Sequence, residues 1–297
     1  MLPRLFYTDQ HVIPLPPGHK FPIEKYRLLR ETLARDGTFL LEPAPLADRT
    51  TIELVHDPTY VQAFLSGTLD AAAVRRIGFP WSEGLVQRTL ASVGSTLAAT
   101  DEALARGWGG TLAGGTHHAF VAEGSGFCVF NDIAIAIRKL QRDHGLERIA
   151  VIDLDVHQGD GTAQIFAGDP SVLTISVHCK NNFPLRKQQS RIDIELNSGV
   201  GDAEYLSVLE EVLTQVQNFQ PQAVFYQSGV DGLASDVLGH LELTHAGLIE
   251  RDRRVTQTIH DLRVPFIVTL GGGYSRPVEL TVEAHANTFR TAREIFG

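Results

Sequence analysis

Short apolar runs alternate with longer segments of helical period along nearly the whole chain. The runs predict strands at Leu5–Tyr7, Ile52–His56, Thr111–Ala113, Arg148–Leu154, Val172–Val177, Ile192–Leu196, Ala223–Gln227 and Pro265–Leu270. Helical spacing is clearest over Pro22–Arg35, Glu83–Arg106, Asn131–His144, Asp202–Phe219, Thr244–Leu262 and Pro277–Ile295. The segment Ile149-Ala-Val-Ile-Asp153 is apolar at successive positions, so it is expected to be covered on both faces, as parallel strands are. The pattern predicts a single-domain α/β protein over residues 1–297, with a mostly parallel central sheet of about eight strands flanked by helices. The same strand count would suit a closed (β/α)₈ barrel, and the pattern alone does not separate the two. No internal repeat, low-complexity tract or Ser/Gly-rich linker divides the chain, and Lys180–Arg191 reads as a surface loop near strand ends.

Composition narrows the class. The 297 residues carry 26 Lys+Arg and 35 Asp+Glu, a net charge of −9 with His neutral, and are 43% hydrophobic and 21% charged. That balance suits a folded protein rather than a disordered one. It leaves no cationic surplus for phosphates, so neither direct nucleic-acid binding nor a membrane partner is expected. Two cysteines, Cys128 and Cys179, lie outside any C-x-x-C pair and cannot build a disulfide framework, which points to a reducing compartment. Met1–Asp9 lacks the basic start and apolar core of a signal peptide, and no apolar run approaches the roughly 18 residues of a membrane span. A cytoplasmic protein is expected.

Candidate chemistry clusters where predicted strands end, the usual position of α/β active sites. The clusters are Gly114-Gly-Thr-His117-His118, Asp153-Leu-Asp155-Val-His157-Gln-Gly-Asp160, Ser228-Gly-Val-Asp231 and Gly271-Gly-Gly-Tyr274. Asp153, Asp155 and His157 fall at i, i+2 and i+4, on one side of an extended strand end. A carboxylate and an imidazole two residues apart can grip one metal, with Asp231 arriving from another strand. Two Asp and one His leave a tetrahedral ion one open position, as catalytic zinc requires, and the mixed set also accepts Fe²⁺. His117 and His118 could supply a proton acceptor and donor, each wanting a carboxylate on its far nitrogen, with Asp153 and Asp160 as candidates. The Gly271–Gly273 turn allows close backbone approach, letting the Tyr274 hydroxyl reach a reacting carbonyl. In Gly124–Asp132, Phe127 could line a slot and Asn131 or Asp132 could cap the next helix, while Cys128 reads as buried packing.

With those residues in place, the sequence resembles the zinc-dependent histone/lysine deacetylases of the arginase/deacetylase superfamily. The matching segments are Gly114–His118, Gly126-Phe-Cys-Val-Phe-Asn-Asp-Ile-Ala134, Val151–Gly161, Ser228–Asp231 and Leu270–Tyr274, in the family's order and jointly specific. Weaker likeness runs through His56–Tyr60 and Ile77–Ser82, and the compact length looks most like class IV and related bacterial members. The resemblance implies the arginase/deacetylase fold and one zinc ion per chain on Asp155, His157 and Asp231. It implies a general base, later acid, at His118 partnered by Asp160, electrostatic help from His117 partnered by Asp153, and a carbonyl donor at Tyr274. It places Phe127, Phe183 and Leu238 along an acyl-lysine tunnel with Gly126 and Gly272 beside it. It also implies a structural K⁺ or Na⁺ held by main-chain oxygens of Asp153, Asp155, His157 and Val177 and by the Ser176 side chain. After Phe183-Pro184 the chain departs from many class I members, carrying Leu185-Arg-Lys-Gln-Gln in place of a glycine-containing turn.

The implied activity is metal-dependent removal of an acyl group from an acylated lysine in a protein or peptide, by metal-activated water and a His base. An acylpolyamine or another small amide is the alternative substrate. A dinuclear manganese ureohydrolase such as an arginase would share the fold but wants D-x-H-x-D and a second D-x-D. Gly159 and Leu233 stand where those acids would be. An inactive acetyl-binding module would lose a ligand, a histidine or the tyrosine, and none is missing.

Overall fold

The computed structural model describes residues 2–297. The first half of the described chain runs β1 (Arg4–Tyr7), α1 (Glu24–Asp36), β2 (Leu40–Pro43), α2 (Arg49–Ile52), α3 (Pro58–Leu65), α4 (Ala71–Ile77), α5 (Glu83–Arg106), β3 (Trp108–Thr111) and α6 (Asp132–His144). It continues through β4 (Ile149–Asp153), α7 (Asp160–Ile165), β5 (Val172–Cys179), β6 (Ile192–Leu196), α8 (Asp202–Phe219), β7 (Ala223–Gln227), α9 (His245–Leu262), β8 (Phe266–Thr269) and α10 (Val278–Phe296). The strands form one parallel sheet in the order β2-β1-β3-β8-β7-β4-β5-β6. It is open, with β2 and β6 at its edges, so the barrel is not formed.

Alternation along the central strands explains their unbroken apolar character. Ala150 and Ile152 of β4 enter a core with Leu33 of α1, Leu209 of α8, Val255 of α9 and Phe289 of α10. Ile149 and Val151 point the other way, into a core with Ala99 of α5 and Ile137 of α6. Each large side chain buried in this way contributes roughly 1.5–3 kcal/mol, so the two helical layers hold the sheet as a rigid platform. Helix ends follow local chemistry: Ser82 accepts from Leu85 N at 3.1 Å to start α5, and Asn131 accepts from Ala134 N at 3.0 Å to start α6. Among the described residues no helix is long and apolar enough to cross a membrane.

Three expectations need correction. Ile52–His56 is not a strand: Ile52 ends α2 and the following residues turn, their apolar side chains packing beside α3 and α4 instead. The missing strand is β2, Leu40–Pro43, which lies at the sheet edge half-exposed and therefore lacks a buried apolar run. The strand expected at Thr111–Ala113 begins earlier, at Trp108, because its glycines conceal it. A Cβ at Gly109 would lie 2.1 Å from the Ala99 carbonyl oxygen, so this strand runs too close to α5 for a side chain.

His56 gives the fold a pH dependence. It is buried, and its Nε2 accepts from Asn131 N at 2.8 Å. Burial, against weaker opposing backbone bonds, pushes its pKa down to about 4. Between the unfolded value of roughly 6.5 and that folded value, the unfolded chain binds a proton the native one does not, so stability falls as pH falls. The contribution lost from this residue between pH 7 and 5 should be about 2 kcal/mol. Urea melts at the two pH values should show a smaller loss for His56→Gln than for the wild type; equal losses would remove His56 as a source.

Candidate active site

The four polar clusters follow β3, β8, β7 and β4, which are consecutive neighbours in the sheet. The chain leaves the sheet after β3 and returns at β4, across a gap that β7 and β8 later fill. Their carboxyl-end loops therefore meet over one crevice, at the kind of topological switch where open α/β sheets bind ligands. A cavity of about 720 Å³ opens there, lined by His117, His118, Asp155, His157, Asp231 and Tyr274 among others.

Within it, Asp155, His157 and Asp231 place ligand atoms within 4.8 Å of one another. His157 Nδ1 lies 3.0 Å from both Asp155 Oδ1 and Asp231 Oδ2. Backbone amides fix the carboxylates: Val156 N donates to Asp231 Oδ1 at 2.9 Å and Gly272 N to Asp155 Oδ2 at 2.7 Å. A Cβ at Gly272 would sit 1.9 Å from Asp231 Oδ2, so only glycine admits the β8 loop so close. Burial opposes ionisation of Asp155, yet His117 and His157 hold its carboxyl well below the usual range. Burial and the Asp155 charge push Asp231 up to about 7. Two buried carboxylates around one imidazole suit a divalent cation, and an O, N, O donor set fits Zn²⁺ or Fe²⁺.

Beside this set stand two His–Asp pairs. His117 Nδ1 lies 2.7 Å from Asp153 Oδ2, and His118 Nδ1 lies 2.6 Å from Asp160 Oδ1. The two imidazole centroids are 4.0 Å apart. Burial opposes charge on His117, but Asp153 and Asp155 outweigh it and push its pKa up to about 9. Burial and the His117 charge drive His118 down to about 4, leaving it a free base at neutral pH. Two adjacent imidazoles are thus driven apart in proton affinity, the arrangement that separates a base from a cation.

The approach is aromatic. Phe183, 42% exposed, packs edge-on to His118 at 4.9 Å. Phe127 occupies a tight turn with Gly126, at φ 67° and 54°, closed by Ser125 N to Cys128 O at 2.9 Å and Cys128 N to Ser125 O at 2.8 Å. A positive φ at a phenylalanine is strained, and here it aims the ring into the cavity. Leu238 and Gly126 line the same space. Cys128 is buried, and burial pushes its thiol well up, in keeping with packing. Burial likewise keeps the Tyr274 phenol protonated, hence a donor.

The histone deacetylase domain family matches residues 19–289. The chain belongs to the histone deacetylase family. An uncharacterized protein of Picosynechococcus sp. is 46% identical over 98% of this chain and 98% of its own. Histone deacetylase 2 of Arabidopsis thaliana is 32% identical over 87% of this chain and 70% of its own. The solved HD domain of HDA15 shares the fold, with a TM-score of 0.82 over 100% of this chain and 89% of that one at 22% identity. Membership of the histone deacetylase family supports hydrolysis of the deacetylase type.

Within this deacetylase-family site, several supporting residues escaped the sequence reading. Asp132 does not cap α6; its carboxylate accepts from Gly115 N at 2.9 Å and Thr116 N at 2.8 Å, fixing the loop before His117. Asp236 accepts from Tyr274 N at 2.6 Å and from Leu238 N at 2.8 Å, tying the tyrosine to the cavity wall. Lys25, buried on α1, reaches the carbonyls of Gly271 and Gly273 at 3.3 Å each. Arg251, paired with Asp252 at 2.9 Å, donates to the Gly229 carbonyl at 2.6 Å. The visible signal for Lys25 was a cation at the same helical face as Leu29 and Leu33. Ser176 and Val177 lie on β5, where Ser176 pairs in register with Asp153 and its hydroxyl lies 3.0 Å from His178 Nδ1.

Proposed function

We propose that the chain is a zinc-dependent deacylase that hydrolyses the amide of an acylated lysine in a protein or peptide. The observation that carries this reading is the Asp155–His157–Asp231 set, its carboxylates buried, sharing one cavity with two His–Asp pairs and a phenol. When bound, zinc would supply the Lewis acidity that polarises water and the amide carbonyl. His118, held neutral and oriented by Asp160, takes the proton of the attacking water and returns it to the leaving amine. His117, charged beside Asp153, stabilises negative charge gathering nearby without itself moving a proton. Tyr274 donates its hydroxyl proton to the developing oxyanion, and Phe127, Phe183 and Leu238 hold the lysine stem while Gly126 and Gly272 leave it room. A K⁺ or Na⁺ ion on main-chain oxygens of Asp153, Asp155, His157 and Val177, with Ser176 beside Asp153 in register, belongs to the same proposal. The compartment is proposed to be cytoplasmic, on two free buried cysteines.

Charge favours a lysine peptide over an acylpolyamine. The cavity is lined by Lys20, Arg75 and Arg76 toward solvent, and its only lining carboxylates among the described residues are Asp155 and Asp231. Glu123 is already paired with Arg76 at 3.0 Å, so a polycation would meet the net positive charge of Lys20 and Arg75 at the entrance.

The test is Tyr274→Phe assayed on an acetyl-lysine peptide. Losing one oxyanion donor should cost about 10²–10³ in kcat with little change in KM, and zinc content should stay at the wild-type level. Near-normal kcat would reject the oxyanion role.

A further inference from the structure

The cavity does not stop at the candidate metal set. Beyond Asp155 and Tyr274 it continues inward to Lys25, Tyr26, Arg88, Thr89 and Ser92. Arg88 lies on α5 and is only 6% exposed, with its guanidinium carbon 4.2 Å from the centre of the Tyr26 ring. Among the described residues no carboxylate forms an ion pair with it. Asp9, an acid whose charge it feels, is already gripped by Arg30 at 2.9 and 3.0 Å. The contrast is Arg251, also buried, which has Asp252 against it at 2.9 Å. A guanidinium keeps its charge on burial, so one partnered by Tyr26 but by no carboxylate favours an anion in the cavity it lines.

Direction follows from exposure. Phe183, on the wall beside His118, is 42% exposed, whereas Lys25, against the Tyr274 ring and the Gly271 carbonyl, is 1% exposed. A substrate whose amine belongs to a peptide must leave that peptide outside, so its acyl group points inward, toward Arg88. Apolar Ile13, Leu85 and Val93 line the same space and suit methylene groups.

We propose that the inner end is an anion subsite in which Arg88 binds a carboxylate carried at the far end of the acyl chain, making ω-carboxyacyl lysines preferred substrates. This rests on the amide-hydrolase reading above. Hydrolysis of such an amide consumes one water, breaks the C–N bond and releases lysine and a dicarboxylic acid, with no further reactant.

The experiment uses zinc-loaded protein and lysine peptides bearing succinyl, glutaryl or adipoyl groups, each compared with its own terminal amide, which has equal size and no charge. For the chain length that reaches Arg88, the acid should exceed its amide by about 10- to 100-fold in kcat/KM, the range of a charge-assisted hydrogen bond in a desolvated site. Arg88→Gln should bring that ratio near one, and Arg88→Lys should keep part of it. A wild-type ratio of one or less at every length, or a ratio unchanged in Arg88→Gln, overturns the subsite. If no peptide is hydrolysed, the amide-hydrolase reading fails, and the subsite is then decided by calorimetry. Glutarate must bind more tightly than its monoamide, and Arg88→Gln must abolish the difference; equal binding overturns it.

Discussion

Asp231→Ala is expected to lose both zinc and amide hydrolysis, with activity falling to background. Asp231 accepts from Val156 N and lies 3.0 Å from His157 Nδ1, so its removal takes away one ligand and loosens the others. Chelation of the wild type should give the same loss, and added Zn²⁺ should restore the wild type but not the variant. Stability supplies a second reading. Zinc at a hundredfold excess over its Kd should stabilise the wild type by about 2.7 kcal/mol, and this increment should vanish in Asp231→Ala. Metal analysis, peptide hydrolysis and melting curves check the three statements. Full activity in metal-free protein would sink the metal assignment, and two tightly bound ions per chain would favour a ureohydrolase.

His118→Ala should lower kcat by roughly 10²–10⁴, the usual scale for a group that moves a proton in the transition state. The ring contacts Asp160 and Phe183 and lies 6.1 Å from the His157 ring, so zinc content should persist. His117→Ala should lose less, since its bond to Asp153 serves charge rather than transfer. The inequality matters as much as either number. If His117→Ala proves the more damaged of the two at full zinc occupancy, the roles must be exchanged.

The central strands were legible because burial on both faces writes an unbroken apolar run, as in β4 and β7. The edge strand β2 was not, since half-exposed Leu-Leu-Glu-Pro has no such signature. Glycine obscured β3 for the opposite reason: the strand is so tightly packed on α5 that its side chains were removed. At the site, the residues drawn together in space were those whose spacing itself carries chemistry, Asp155 and His157 above all. Asp132, Asp236, Lys25 and Arg251 act on backbone groups far along the chain, and no local spacing encodes which loop lies opposite. Lys25 on an apolar helix face and the acid following Asn131 were the faint traces they left.

The position of β7 and β8 between β3 and β4 has a consequence for biosynthesis. Before Ala223 emerges, the chain holds β1–β3 and β4–β6 as two sheet fragments with nothing to join them. Each exposes an unpaired inner edge, at β3 and at β4, the kind of surface on which incomplete chains associate with one another. The late strands close the edges in turn, β7 on β4 and then β8 between β7 and β3, and bring Asp231 and Tyr274 with them. A nascent chain therefore carries two unjoined sticky halves from the time β4–β6 are made until β8 emerges, and the event that ends that vulnerability also completes the candidate site.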